Sequence, residues 1–209
     1  MVFVYTGADP PYEPPGFSVG DDTLSFRAGR PVSIDCPWYV PVANAFDMGH
    51  LRTVHRRALR REPEIAYPDP FTFTCNYATS VIGREWSDRA MRLLSGDEIR
   101  VDVTCSAGTI ILVESRVKQR RAFLLVSLRP TPTGVSILPV FGVPRKKLGT
   151  HLIQARVSAA LFTAFLTRDI RALSGIRFPP GFLDNDDPTI NACYRFLCSL
   201  PEFESKEMS

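Results

Sequence analysis

The sequence predicts an α+β fold in which one curved antiparallel sheet is gripped by a long C-terminal helix. Three observations lead there. Residues 71–143 fall into five runs rich in β-branched and aromatic residues, separated by very short turns. Residues 149–174 then carry an uninterrupted helical pattern. No repeat or low-complexity tract divides the 209 residues, a length suited to one sizeable core. Residues 1–209 are therefore expected to form a single domain.

The first 35 residues are rich in Pro, Gly and Asp, and "YTGADPPYEPPG" reads as irregular chain or an edge strand running into turns. Residues 44–60 are expected to be helical, with Asn44 as N-cap. The strand runs are "FTFTCNYATSVIG" (71–83), "EIRVDVTCSA" (98–107), "TIILVESRV" (109–117), "RRAFLLVSLRP" (120–130) and "GVSILPVFG" (134–142). Connections as short as "SAGT" and "TPTG" imply an antiparallel meander. After the long helix and the turn "RFPPG", a last helix is expected near 188–200, with Pro188 in its first position and Asp187 as its cap.

Composition narrows the function. With 44% hydrophobic and 22% charged residues the chain has an ordinary globular balance. Its net charge, 25 − 22 = +3, gives no support to a nucleic-acid partner. The basic runs "HRRALRR" (55–61) and "PRKK" (144–147) read as solvated faces. No apolar run approaches the ~20 residues of a membrane span, and "MVFVYTGADPP" lacks the features of a secretory signal. The five cysteines, Cys36, Cys75, Cys105, Cys193 and Cys198, form neither C-x-x-C nor C-x-H. That suits reduced thiols in a cytoplasmic protein, with Cys193 and Cys198 packing in the last helix.

The stretch "NAFDMGHLRTVH" (44–55) holds two of the three histidines. Two histidines and one carboxylate leave open positions on iron(II) for dioxygen and a substrate. His50 and His55 are five residues apart, an offset of about 140° on an ideal helix. They reach one metal only if the helix widens by a π-type bulge or breaks between them, which Gly49 makes cheaper. Spacing by itself therefore favours two ordinary helix histidines. For the carboxylate there are two sources. Asp184, Asp186 and Asp187 lie in a polar turn, where Asp is expected as a cap or a solvated charge. Asp169 lies instead in an apolar stripe with Phe162, Phe165, Leu166, Leu173 and Ile176. A carboxylate there is costly unless a cation or donors meet it. A buried salt bridge would serve as well as a metal, but Arg168 and Arg171 point elsewhere on the helix. His151 is assigned no function.

Here a family resemblance enters. "NAFDMGHLRTVH" resembles the mononuclear-iron motif of Rieske non-haem iron oxygenases, N-x-x-D-x-x-H with a second His four or five residues on. "VFVYTGADPPYEPP" resembles the segment that follows the Rieske domain in those enzymes, and "DCPWYVPVANAFDMGHLRTVHRR" resembles the entry into their catalytic domain. "FLTRDIRALSGIRFPPG" is similar to the late helix with the family's ligand aspartate, and "DDPTINACYRFLCSLPEF" to the C-terminal helix after it. The resemblance implies a START/SRPBCC-like helix-grip fold. It implies Fe(II) on His50, His55 and Asp169, with Asn44 just outside the coordination sphere. It also implies that Asp47 links the site to the electron donor and accepts a hydrogen bond from His50, fixing its ring.

Family enzymes carry a Rieske [2Fe–2S] domain before the catalytic one, and its cluster needs two Cys and two His. This chain has no C-x-H, and only His151 remains beside the two motif histidines. The expectation is a catalytic domain without that cluster, taking electrons from a Rieske- or ferredoxin-type partner in a homo-trimer. Its substrate would be apolar and ring-containing, oxidised with O2. Phe71, Phe73, Phe123, Phe162 and Phe165 are candidate walls of the substrate pocket. The alternative is a non-catalytic START-like module for a hydrophobic ligand, or a truncated and inactive oxygenase fragment.

Overall fold

The computed structural model describes residues 12–96, 98–145, 150–177 and 187–201. Asp184 and Asp186 lie outside the described residues, as do Lys146 and Lys147 of the second basic run.

The five expected strands form the centre of the sheet: β5 (Thr72–Val81), β6 (Ile99–Ser106), β7 (Ile110–Val117), β8 (Arg120–Thr131) and β9 (Gly134–Pro144). Each pairs antiparallel with the next. Their register aligns apolar residues in rows. Val103 faces Val113, Val113 faces Leu124, and Leu124 faces Phe141. Because side chains alternate along a strand, this one row places four apolar groups on one face. The β6–β7 turn takes only residues 107–109, with Ala107 and Gly108 both at positive φ (47° and 72°) and the Thr109 N–H on Ser106 O at 3.3 Å.

Four further strands complete the sheet among the described residues. β1 (Leu24–Ala28) and β2 (Val32–Ile34) pair with β9, and β3 (Arg57–Leu59) and β4 (Glu64–Asp69) pair with β5. The 1–35 segment is thus not irregular throughout, because residues 24–34 satisfy the otherwise open edge of β9.

The helix expected over 44–60 is replaced by three elements. α1 (Tyr39–Asn44) and α2 (Met48–Thr53) flank a short turn, and β3 follows. Asn44 ends α1 rather than capping a helix, and Asp47 is the N-cap of α2. α3 (Trp86–Ser95) was not anticipated. A reciprocal capping box between Glu85 and Asp88 starts it. The long helix is α4 (Thr150–Leu173) and the last is α5 (Pro188–Ser199). Asp187 caps α5, accepting from the backbone N–H of Thr189 at 2.9 Å. Its other oxygen accepts from Met48 N–H at the first residue of α2, at 2.8 Å. One carboxylate therefore ties two helix starts together, where exposed N–H groups attract negative charge.

Three phenylalanine rings fill the core beneath these helices. Phe46, after α1, packs on Phe73 of β5 at 4.8 Å between centroids, and Phe73 packs on Phe196 of α5 at 5.7 Å. Among the described residues no helix is long and apolar enough to cross a membrane.

Candidate metal centre

α2 stops between the two motif histidines. The N–H groups of Val54 and His55 both point at His50 O, at 2.9 and 3.5 Å. The second is an i→i+5 bond, the π-type opening that the spacing demanded. Arg56 then takes φ 54° and turns the chain into β3. The result places His50 Nε2 3.2 Å from His55 Nε2. Asp169, from α4, brings Oδ1 to 2.8 Å from His50 Nε2 and 2.7 Å from His55 Nε2.

The surroundings hold this arrangement. Asp47 Oδ1 accepts from the main-chain N–H of His50 at 2.7 Å. The bond anchors the helix start and does not reach the imidazole. Asn44 Nδ2 donates to Asp169 Oδ1 at 3.3 Å. The His55 ring stacks on Phe165 at 3.8 Å and 5°. Burial lowers the His55 pKa, against the opposing pull of the hydrogen bond to Asp169. Burial also pushes the Asp169 carboxyl up, but the hydrogen bonds to His50 and His55 outweigh it and hold the group below the usual carboxylate range. A neutral His55 and an ionised Asp169 are the ligating forms of both.

The donor set fits a divalent first-row metal. Two N–H protons aimed at one carboxylate oxygen would crowd each other at 3.2 Å. Two imidazole nitrogens and an oxygen on one face of a cation at ~2.1 Å have similar separations and leave the other face open. No other group of three such residues that could hold a metal occurs among the described residues. Asp187, the one member of the 184–187 cluster that is described, points its carboxylate at two helix starts instead.

Beside the triad lies a cavity of about 520 Å³. Val101, Val103, Val113, Leu124 and Val126 of the sheet line it, facing Leu161 and Leu166 of α4. Ile153 and Val157, both exposed, reach its rim. Of the five phenylalanines expected in the wall, Phe162 and Phe165 line the cavity. Phe123 does not: Leu124 faces inward, so alternation turns Phe123 to the other side, against Phe17. Phe73 is sealed in the core with Phe46, and Phe71 packs against Tyr12.

Two further expectations change. The run "HRRALRR" is not simply a solvated face, since His55 and Arg57 are both buried, at 4% exposure. Arg57 pairs with the fully buried Asp88 of α3 at 3.0 Å, and Arg168 of α4 reaches the same carboxylate at 3.4 Å. Gly83 makes room for this group, because a Cβ there would collide with the Asp88 carboxylate. Cys198 is exposed, whereas Cys193 is buried as expected. Asp88 had a sequence signal in the capping box with Glu85. Arg57 had none, because a basic run does not say which member turns inward.

No family model matches the chain, and no curated protein matches it in sequence. Solved structures do. Dicamba monooxygenase bound to 3,6-dichlorosalicylic acid superposes with a TM-score of 0.53 at 17% identity, covering 86% of this chain and 60% of that one. A QL mutant of NdmA from Pseudomonas putida CBB5, with theobromine, gives 0.59 at 15% identity, covering 94% and 62%. NdmB from the same organism gives 0.57 at 10%, covering 88% and 52%. These neighbours are catalytic subunits of Rieske oxygenases. At such identities the likeness is one of fold. The chain spans between half and two thirds of their length.

Proposed function

We propose that residues 1–209 act as the catalytic domain of a mononuclear non-haem iron oxygenase, oxidising an apolar, ring-containing substrate with O2. The observation that carries this reading is the convergence of His50, His55 and Asp169 at an apolar cavity. The fold of the oxygenase neighbours supports it. Fe(II) held by the three side chains would supply the redox chemistry that lets O2 attack an otherwise unreactive carbon.

The chain's own residues do the positioning. Asn44 steadies the Asp169 carboxylate, and Phe165 fixes the plane of the His55 ring. Asp47 holds the start of α2, and so His50, in place. The Val and Leu walls exclude water and orient an apolar substrate. Electrons would come from a separate Rieske- or ferredoxin-type protein, with Asp47 as the link. A homo-trimer and a cytoplasmic location belong to the same reading.

The first test is the iron content of anaerobically prepared protein beside His50→Ala. Near-stoichiometric Fe(II), lost in the variant, is the expected result. A folded wild type without iron would favour the second reading, a hydrophobic-ligand module, which the apolar cavity supports independently of any metal.

A further inference from the structure

Apart from the triad, the cavity wall has one stretch of buried polar residues among the described residues, whereas Ser115, Arg120, Arg121, Gln154 and Ser158 line it from less buried positions. Arg57 on β3 and Tyr77 and Thr79 on β5 all line it. Arg57 lies opposite Val81, and residues 77, 79 and 81 alternate onto the same face. All three side chains belong to buried residues, at 4%, 6% and 2% exposure. Their next neighbours on β6 are apolar: Tyr77 faces Val101 and Thr79 faces Ile99.

These polar groups have unmet capacity. Among the described residues nothing hydrogen-bonds the hydroxyl of Tyr77 or of Thr79, and neither is sealed away from the cavity. Arg57 uses Nη1 for Asp88 Oδ1 and for Arg56 O, at 3.0 and 3.4 Å. Its Nε and Nη2 are left as donors. These groups open onto the cavity, where water or a bound ligand completes their hydrogen bonds.

We propose that Arg57, Tyr77 and Thr79 form a polar subsite that receives a carbonyl or carboxylate oxygen of the substrate. This rests on reading the cavity as the substrate site. An acceptor fits because Arg57 offers only donors. Arg57 holds the buried Asp88 carboxylate together with Arg168, and Arg168 also pairs with Glu85 at 2.6 Å, so neither of those acids is left to face the cavity as a competing acceptor for Arg57. An ammonium group would face the Arg57 guanidinium, which accepts no hydrogen bond. The subsite is also close to the triad. The Arg57 guanidinium lies 5.2 Å from the centroid of Phe165, the ring on which His55 stacks. An oxygen anchored here fixes which edge of a ring faces the metal ligands, so the subsite sets regiochemistry as well as affinity.

Three naphthalenes of similar shape make the probes: 2-naphthoate, 2-acetonaphthone and 2-ethylnaphthalene. Each is titrated by its fluorescence into the full chain, metal-free and Fe(II)-loaded under argon. The proteins are wild type, Tyr77→Phe, Thr79→Val and the double variant. Arg57 is kept, because its removal would strand Asp88. The readout is each protein's preference for an oxygen-bearing probe over 2-ethylnaphthalene, compared with wild type. Each single substitution should cut that preference several-fold, and the double variant about tenfold or more. The oxygen probe that loses more identifies the group as charged or neutral. A preference unchanged in the double variant, or absent from the wild type, would overturn the subsite. Failure of the iron reading looks different: no iron is taken up, while probe discrimination persists.

Discussion

At the scale of single residues the centre depends on a few atoms. Asp169 Oδ1 is shared by His50, His55 and Asn44. Asp169→Ala should abolish stoichiometric iron binding, measured by metal analysis after anaerobic loading. Asn44→Ala removes only a bond to the ligand, and should weaken iron affinity by about 10–100-fold with the fold intact. Equal losses in the two variants would mean that Asn44 is itself a ligand. The cysteines give a second residue-scale test. Burial pushes Cys36 up to about 11 and Cys75 and Cys105 up to about 12, from an ordinary 9.0. With Cys198 exposed and the other four buried, native protein at pH 8 should show one fast thiol towards a disulfide reagent. The folded state holds these protons more tightly than the unfolded one. Stability from the three thiols should therefore fall as pH rises from about 9 towards 11–12, read as a lower denaturation midpoint.

At the scale of elements, two carboxylates join pieces that are distant in sequence. Asp187 caps α5 and also holds the first N–H of α2. Asp187→Ala should cost about 1–2 kcal/mol in denaturant unfolding. It should also lower iron affinity, because α2 carries His50. Asp187→Asn, which can still accept at one helix start, should recover part of both losses. Asp88 sits where α3, α4 and β3 meet, between Arg57 and Arg168. Asp88→Ala leaves two guanidiniums around an empty position and should cost about 3–5 kcal/mol. A change under 1 kcal/mol would mean that water replaces the carboxylate.

At the scale of the whole molecule the sheet and α4 together make the cavity, and the triad forms where α2, β3 and α4 come together. The five central strands and both C-terminal helices were legible in the chain. Alternation and helical periodicity are local signals, so observed ends differ from expected ones by only a residue or two. β1 and β2 were less legible, and β3 was mistaken for helix. Each is short and exists because β9 or β5 offers an unpaired edge, which no local pattern encodes.

The same division holds for the site. Residue types and order determined the candidates: two histidines five apart, and an aspartate in an apolar stripe that needed a partner. Only the tertiary structure decided that the helix ends between the histidines, and that Asp169 rather than Asp187 meets them. It alone turned Arg57 inward beside Tyr77 and Thr79. The reason is physical. A local pattern reports what a residue costs to bury, whereas the partner that offsets the cost comes from another element and is found only when the chain closes.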